Sequence, residues 1–347
     1  MVPVPIIQGG MGVRVSTSAL ASAVANCGAA GTIASVGLPP DTAENRADVP
    51  KSCREHLQIE IRKARELSDG VIGVNIMVAL SNYEDIVRTT VKEGADFIIS
   101  GAGLPLRLPE YTEGSTIKLI PLISSARAAE IIFKTWTRRY DRLPDALVVE
   151  GPLSGGHIAA HSVEDLKAGR LTDLETTLKE VFEVVDKYAK PAGADIPVIA
   201  AGGIFDGKDV ARFLKLGAKG VQIGSRFVAT HECSAAKEFK QLYLDSDEKD
   251  LLYIQSPVGM PAKVIRTKFI EEMLAGGRRP ISCNYICLRT CDPNAVPYCI
   301  AKALIDAVEG DIDNAVVFAS SYIGRIDKIV SVKEMIDEIT REAAEHL

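Results

Sequence analysis

Residues 197–227 read PVIAAGGIFDGKDVARFLKLGAKGVQIGSRF, and this stretch is the clearest indication of the fold class. Two short apolar runs, Pro197–Ala201 and Gly220–Gly224, flank a helical pattern over Lys208–Leu216. Gly217 follows that pattern, and a glycine there is typical of a helix end that leads into a strand. The stretch therefore predicts a strand, a helix and a second strand parallel to the first.

The same alternation recurs along the first two thirds of the chain. Runs such as Phe97–Ile99 and Ala146–Val149 are continuously apolar, which suits parallel strands covered on both faces. Eight strands with helices between them predict an α/β fold, a closed (β/α)₈ TIM barrel, with an open doubly wound sheet as the alternative. The predicted strands are Pro5–Gln8, Gly31–Ser35, Val71–Val78, Asp96–Ser100, Lys118–Ser124, Asp145–Glu150, Pro197–Ala201 and Gly220–Gly224. The clearest predicted helices are Tyr83–Glu93, Ala126–Tyr140, Leu174–Lys190 and Lys208–Leu216.

The pattern divides the chain into two parts. We predict a barrel over residues 1–227 and a C-terminal extension over 228–347, which forms a smaller helical and irregular lobe. Within the extension, Ser234–Asp245 and Val332–His346 are helical in pattern. Residues 278–299 are rich in Cys, Pro, Arg and Asn, which predicts irregular structure, and residues 39–70 form a longer insertion after the second strand.

The composition restricts the class of partner. The chain has 347 residues, 47% hydrophobic and 25% charged, as in an ordinary globular protein. A net charge of −6 without a Lys/Arg block argues against nucleic acid and against an anionic membrane surface. We see neither a spanning segment nor an N-terminal export signal, and seven cysteines, an odd number, favour reduced thiols. We expect a cytoplasmic protein with a small-molecule substrate.

Glycines recur where the predicted strands end, and a barrel carries its active site there. Gly202 and Gly203 follow the seventh strand, and Gly224 and Ser225 follow the eighth, which is the usual phosphate cradle of this fold. Tight turns explain any one of these glycines equally well. Taken together, they favour a cofactor or substrate that bears a phosphate.

Other ligand motifs are incomplete. Residues 202–208 have P-loop spacing, but Asp209 stands where the motif needs a Ser or Thr, and no G-x-G-x-x-G follows a strand. His157 and His161 have the spacing of a metal-binding helix but lack the adjacent Glu of a zincin. We therefore expect no metal there.

His157 follows two glycines at the mouth of the predicted barrel. An imidazole titrates near neutral pH, so it suits general acid or base chemistry. A histidine that is merely hydrogen-bonded within its loop is an alternative of equal weight at this point.

These motifs, in this order, resemble the nitronate monooxygenase (2-nitropropane dioxygenase) family, which is related to the flavin-dependent enoyl-ACP reductase of bacterial fatty-acid synthesis. The resemblance covers roughly residues 3–275. The stretches that carry it are Pro5–Met11, Gly73–Met77, Glu150–His157, Ala200–Ile204, Val221–Phe227 and the Lys263–Phe269 region.

The resemblance implies a barrel that binds FMN and needs no metal, with His157 as the catalytic residue. It implies an FMN phosphate held by Gly202, Gly203, Gly224 and Ser225. It also implies a flavin ring against Gly10, Met11 and Asn75, close approach of the chain at Gly155 and Gly156, and Glu150 beside the cofactor.

The implied reaction is oxidative denitrification of alkyl nitronates with O₂. Relatives with nearly the same barrel instead accept hydride from NAD(P)H and reduce an enoyl thioester or a quinone, and this is the alternative. A phosphate-binding lyase or isomerase without flavin is a third hypothesis. Homo-oligomers are common among such enzymes, and the number of subunits stays open.

The C-terminal extension departs from the compact enoyl reductases. Cys283, Cys287, Cys291 and Cys299 lie close together in the sequence. Their spacing matches none of the common iron–sulfur or zinc motifs. Packed free thiols, a metal site and a redox-active thiol pair are the three alternatives, in that order of preference.

Overall fold

The computed structural model describes residues 2–37, 48–281, 283, 287–289 and 291–347. Its strands are β1 Ile6–Gln8, β2 Gly31–Ala34, β3 Ile72–Met77, β4 Phe97–Gly101, β5 Lys118–Ile123, β6 Leu147–Glu150, β7 Gly156–His157, β8 Val198–Ala201, β9 Gly220–Ile223, β10 Leu251–Gln255 and β11 Pro261–Ile265. All the predicted barrel strands are present, and their bounds differ from the predicted ones by two residues at most.

Eight parallel strands form one sheet in the order β1-β9-β8-β6-β5-β4-β3-β2. The strands at its two ends also meet, because Gln8 N donates to Ala30 O and Ala30 N donates to Ile6 O, each at 2.9 Å. The sheet is thus nearly closed on itself. The predicted (β/α)₈ barrel is confirmed, and the open sheet is not formed.

Helices alternate with the barrel strands and continue in the C-terminal extension. They are α1 Ser18–Asn26, α2 Val49–Leu67, α3 Tyr83–Lys92, α4 Leu108–Tyr111, α5 Ala126–Tyr140, α6 Val163–Lys167, α7 Leu174–Ala189, α8 Gly207–Leu216, α9 Ser225–Val228, α10 Lys237–Asp245, α11 Lys268–Leu274, α12 Ile300–Glu309 and α13 Val332–Glu345. The four clearest predicted helices end within one residue of the prediction. The predicted insertion contains α2, and its residues 39–47 lie outside the described residues. No helix of the described chain is long and apolar enough to cross a membrane.

The stretch with P-loop spacing is a helix start. Asp206 accepts from Asp209 N at 2.9 Å, and the Asp209 carboxylate accepts from Phe205 N at 2.9 Å. The Asp209 carboxylate also accepts from Asp206 N, which completes a capping box. A capping box satisfies main-chain N–H groups that have no partner within the first turn of a helix, here α8. Asp209 therefore caps a helix in this chain.

Buried aliphatic side chains fill the inside of the barrel. Ile7, Ile99, Ile120, Val148 and Ile199 belong to one buried cluster contributed by five strands. Outside the barrel, larger side chains such as Trp136 and Phe133 on α5 are fully buried. The barrel is therefore a packed core, and a ligand site must lie at a rim.

A second, antiparallel sheet joins the two parts of the chain. It has the order β10-β11-β7, in which Ala262 pairs with His157 and Lys263 with Gly156. The C-terminal helix α13 packs on α8, where Gly207 N donates to Glu342 Oε2 at 2.8 Å. The predicted division at residue 227 stays a prediction.

Within the stretch 278–299, residues 287–289 are hydrogen-bonded to the connection between β3 and α3. The described members of this stretch form no helix or strand apart from a single bridge between Leu288 and Leu80. Residues 282, 284–286 and 290 of this stretch lie outside the described residues.

Candidate functional site

A cavity of about 570 Å³ lies at the carboxyl ends of the barrel strands. This is the rim at which TIM barrels carry their active sites. The structure brings every candidate residue of the sequence analysis together there. The cavity is lined by Gly10, Met11, Asn75, Glu150, Gly155, Gly156, His157, Gly202, Gly203, Gly224 and Ser225, among others.

One side of the cavity is formed by main chain after β8 and β9. Gly202 and Gly203 have φ values of +87° and +79°, which L side chains rarely adopt. At Gly224 a Cβ would meet no clash, because it would touch only Met11, at an ordinary van der Waals distance of 3.8 Å from Sδ. Ser225 Oγ accepts from Ser320 N at 2.9 Å, and the Ser225 side chain is also hydrogen-bonded to that of the buried Tyr243.

Two other glycines permit close packing within the protein. A Cβ at Gly10 would lie 2.2 Å from Asn75 Cβ, so the loop after β1 lies directly on the Asn75 side chain. A Cβ at Gly155 would lie 2.6 Å from the carbonyl carbon of Ala319. The close approach at Gly155 is therefore to the main chain of the C-terminal extension.

Two buried polar atoms in the cavity wall have no hydrogen-bond partner in the described chain. They are Ser154 Oγ, after β6, and Gln222 Oε1, on β9. Buried polar groups are nearly always hydrogen-bonded in folded proteins, and an unpaired one costs about 1–3 kcal/mol. A ligand with hydrogen-bonding groups would satisfy both atoms.

His157 lies on β7 and faces the cavity. One ring nitrogen, Nε2, is 2.8 Å from Ser256 Oγ in the turn between β10 and β11. The ring also meets Phe318 edge-on, with centroids 5.0 Å apart. Burial lowers the pKa of His157 to about 4, so the imidazole is neutral at neutral pH. Its hydrogen bond leads to the extension and not to its own loop.

The ammonium group of Lys263 is a buried cation beside the loop that follows β6. Lys263 on β11 is 1% exposed, and its Nζ donates to Pro152 O at 3.1 Å and to Ser321 Oγ at 2.5 Å. Burial lowers the pKa of Lys263 to about 8, and the nearby Glu150 carboxylate opposes this shift. Burial raises the pKa of Glu150 to about 7, and Lys263 opposes that shift in turn. An acid and a base that both titrate near neutral pH are thus placed beside the cavity.

Sequence reasoning missed Ser256, Lys263 and Phe318 as functional residues. Their contacts with the loop after β6 join residues far apart in the chain, with 99 residues between His157 and Ser256 and 111 between Pro152 and Lys263, and the contact of Phe318 with His157 spans more. A contact between residues so far apart in the chain produces no pattern of closely spaced residues in the sequence. The one available signal was the position of Lys263 within a stretch that carries the family resemblance.

The four clustered cysteines are free thiols. Cys287 lines the cavity, and its carbonyl accepts from Ser81 N at 3.1 Å. Burial raises the pKa of Cys287 to about 12, and the Cys299, Cys291 and Cys283 thiols add to this shift. Within the described ranges, no group of three or more His, Cys, Asp or Glu side chains has the arrangement of a metal site.

A family model described as nitronate monooxygenase matches residues 1–342. The chain belongs to the nitronate monooxygenase family. A probable nitronate monooxygenase of Staphylococcus saprophyticus is 28% identical over 78% of this chain and 77% of its own length. A second relative is 26% identical over 99% of this chain and 94% of its own length. It is a (3aS,4S,5R,7aS)-5-hydroxy-7a-methyl-1-oxo-octahydro-1H-indene-4-carboxyl-CoA dehydrogenase of Mycobacterium tuberculosis.

Two solved structures share the fold over nearly the whole chain. FabK of Thermotoga maritima is 27% identical with a TM-score of 0.73, covering 99% of this chain and 94% of that one. A nitroalkane oxidase of Streptomyces ansochromogenes has a TM-score of 0.74 at 20% identity, covering 99% of this chain and 97% of that one. Membership of the nitronate monooxygenase family makes the chain a flavin oxidoreductase.

The room for a side chain at Gly224, where a Cβ would touch only Met11, generates a prediction. A leucine there would occupy the place of a ligand without requiring a strained backbone, since Gly224 has φ −112°. We expect G224L to purify folded but colourless, with less than a tenth of the wild-type flavin content, measured by absorbance after acid release. The exposed Ala344→Leu on α13 is the control, and it should retain flavin. Full flavin content in G224L would show that no cofactor phosphate approaches this position.

The Glu150–Lys263 pair generates a second prediction. Lys263→Met removes the cation that holds the pKa of Glu150 down, so the carboxyl should titrate above its wild-type value of about 7. Lys263→Arg should restore the wild-type value. The measurement is the infrared carbonyl band of the protonated acid, which disappears as the pH rises through the pKa and is absent in E150Q. The same midpoint in K263M and wild type would contradict the coupling.

Proposed function

We propose that the chain is an FMN-dependent oxidoreductase that converts alkyl nitronates and their parent nitroalkanes, with O₂, to carbonyl compounds and nitrite. The observation that carries the proposal is His157, a neutral imidazole that faces the barrel-mouth cavity with a fixed hydrogen-bond partner. The family resemblance implies the role of catalytic residue for His157. Family membership supports the flavin and the reaction class.

The residues after β8 and β9 fit the phosphate of FMN. The main-chain N–H groups around Gly202, Gly203, Gly224 and Ser225 would hold it, since backbone N–H groups of a barrel rim suit an anion. A Cβ at Gly224 would meet only Met11 within 4 Å, so the main chain there leaves room for the phosphate.

Other residues of the cavity lining would hold the flavin ring. Gly10, Met11 and Asn75 would lie against it, and Gly155, Gly156 and Glu150 would lie beside it. The unpaired Ser154 Oγ and Gln222 Oε1 line the same cavity and would gain partners from a polar cofactor. When bound, FMN would supply the electron-transfer chemistry, while the protein binds and orients.

His157 would remove the α-proton of a neutral nitroalkane, and the proton would go to its free ring nitrogen. Ser256 would hold the ring in place through Nε2. A pKa of about 4 keeps the ring unprotonated, but it also makes a weak base. The nitronate that forms is an anion beside the ring, and a nearby anion raises the pKa of an imidazolium. The transferred proton is therefore stabilised by the product.

A second candidate is a flavin enzyme that acts on an acyl thioester with NAD(P)H as the electron donor. The Mycobacterium tuberculosis relative favours it, because that protein is a dehydrogenase of a CoA thioester and aligns over 99% of this chain. A quinone is a further acceptor in this class. The same glycines and the same histidine would serve that reaction.

The proton-transfer role of His157 generates a prediction. His157→Asn should retain flavin, and its kcat/KM for neutral nitroalkanes should fall by about 10²- to 10⁴-fold. Preformed nitronates need no deprotonation, so their oxidation should fall far less. The measurement is nitrite release with each substrate form. An equal loss on both forms would contradict the role of a base.

The neutral state of His157 also predicts how the activity on neutral nitroalkanes depends on pH. Neutral His157 is the active form, so wild-type activity on neutral nitroalkanes should persist from pH 7 to about pH 5 and fall as the pH drops through about 4. The Ser256→Ala variant should keep this direction of pH dependence with reduced kcat. A profile that falls near pH 6.5, the value of an ordinary histidine, would contradict a buried neutral base.

A further inference from the structure

The C-terminal extension builds an apolar wall on the cavity. On α12 the residues that line the cavity are Ile300, Ala301, Leu304 and Ile305. Their spacing of one and four residues places them on one face of the helix. Leu288 continues the same wall. We call these five residues the apolar wall.

The apolar wall is tied to the barrel mouth by main-chain hydrogen bonds. Ser81 N donates to Cys287 O, and Arg289 N donates to Ala79 O, each at 3.1 Å. The Arg289 side chain adds a bond from Nε to Leu80 O at 3.1 Å. These contacts attach residues 287–289 to the connection between β3 and α3, so Leu288 is held at the barrel mouth.

The described lining offers no free cation. The charged side chains that line the cavity in the described ranges are Glu150 and Arg226. The Arg226 guanidinium donates to Phe205 O and to Glu338 Oε1, each at 2.8 Å. Among the described residues, a second negative charge on a substrate would therefore find Glu150 and no unpaired cation, which disfavours it.

Apolar side chains also flank the candidate base. Phe318 contacts the His157 ring, and Val258 and Met260 belong to the turn that carries Ser256. The space between the base and the apolar wall is thus lined mainly by hydrocarbon. Such a lining selects for substrates with an uncharged alkyl group.

We propose that the apolar wall binds an uncharged alkyl chain of the substrate, so that the preferred nitronates carry a medium-length chain and no carboxylate. This inference rests on the proposed function for the reacting head group. Each methylene that becomes buried should raise kcat/KM about three- to fourfold.

The first test is a chain-length series with the flavin-loaded enzyme. The substrates are the nitronates of nitroethane, 1-nitrobutane and 1-nitrohexane, with 3-nitropropionate as the carboxylated compound. We expect kcat/KM to rise along the alkyl series by at least 30-fold in all, and 3-nitropropionate to fall below nitroethane. A flat alkyl series, or 3-nitropropionate as the best substrate, would overturn the proposal.

Substitutions in the apolar wall test whether its residues cause the preference for longer alkyl chains. Ala301→Phe fills the cavity, and Leu304→Ala removes apolar contact, so each should lower the nitrohexane-to-nitroethane ratio at least fivefold. Ala344→Phe makes the same change on the exposed surface of α13 and should keep the wild-type ratio. An unchanged ratio in both wall variants would overturn the assignment.

A binding series separates this inference from the proposed function. Uncharged n-alkanols, from ethanol to 1-octanol, are titrated into the oxidised holoenzyme, and the shift of the flavin absorbance gives each Kd. Tighter binding with chain length in wild type but not in A301F supports the wall even if no nitronate is oxidised. A Kd independent of chain length in wild type overturns it, whatever the outcome with nitronates.

Discussion

The pairing of β7 with β11 is the interaction on which the site depends. Two residues of β7, Gly156 and His157, pair with Lys263 and Ala262 of β11. This short antiparallel contact attaches the loop after β6 to the C-terminal extension. It fixes the direction of the His157 ring, brings Ser256 within hydrogen-bond distance of Nε2, and places Lys263 behind the loop.

The same contact sets the electrostatics of the cavity. Lys263 is buried because β11 lies between β7 and β10, and its ammonium group is bonded to Pro152 O and Ser321 Oγ. Burial moves the pKa values of Glu150 and Lys263 toward each other, to about 7 and about 8. A flavin enzyme must exchange protons as well as electrons, and this pair places a titrating carboxyl at the cavity beside a neutral imidazole.

The barrel was predictable because each of its units is local. A strand, a helix and the glycine between them lie within about thirty residues, as in the stretch that ends at Phe227. The candidate residues meet because the carboxyl ends of the parallel strands lie at one rim of the barrel. Predicting the strands therefore also predicted that the residues that follow them lie close together. The order of the strands then followed from the fold class.

The second sheet was not predictable in this way. A strand of two residues has no periodicity, and its partner strand lies about 100 residues further along the chain. The contributions of Ser256, Lys263, Phe318 and α12 therefore needed the structure. The roles of the individual site residues, and the division of the chain at residue 227, stay predictions.

The proposed function requires that a nitronate reduce the flavin bound in this cavity. An anaerobic absorbance titration of the purified holoenzyme tests this requirement, first with NADH and NADPH and then with an alkyl nitronate. We expect the oxidised flavin band to persist with both pyridine nucleotides and to bleach when the nitronate is added. Stoichiometric bleaching by NADH or NADPH, with no response to the nitronate, would rule out nitronate oxidation and identify a reductase.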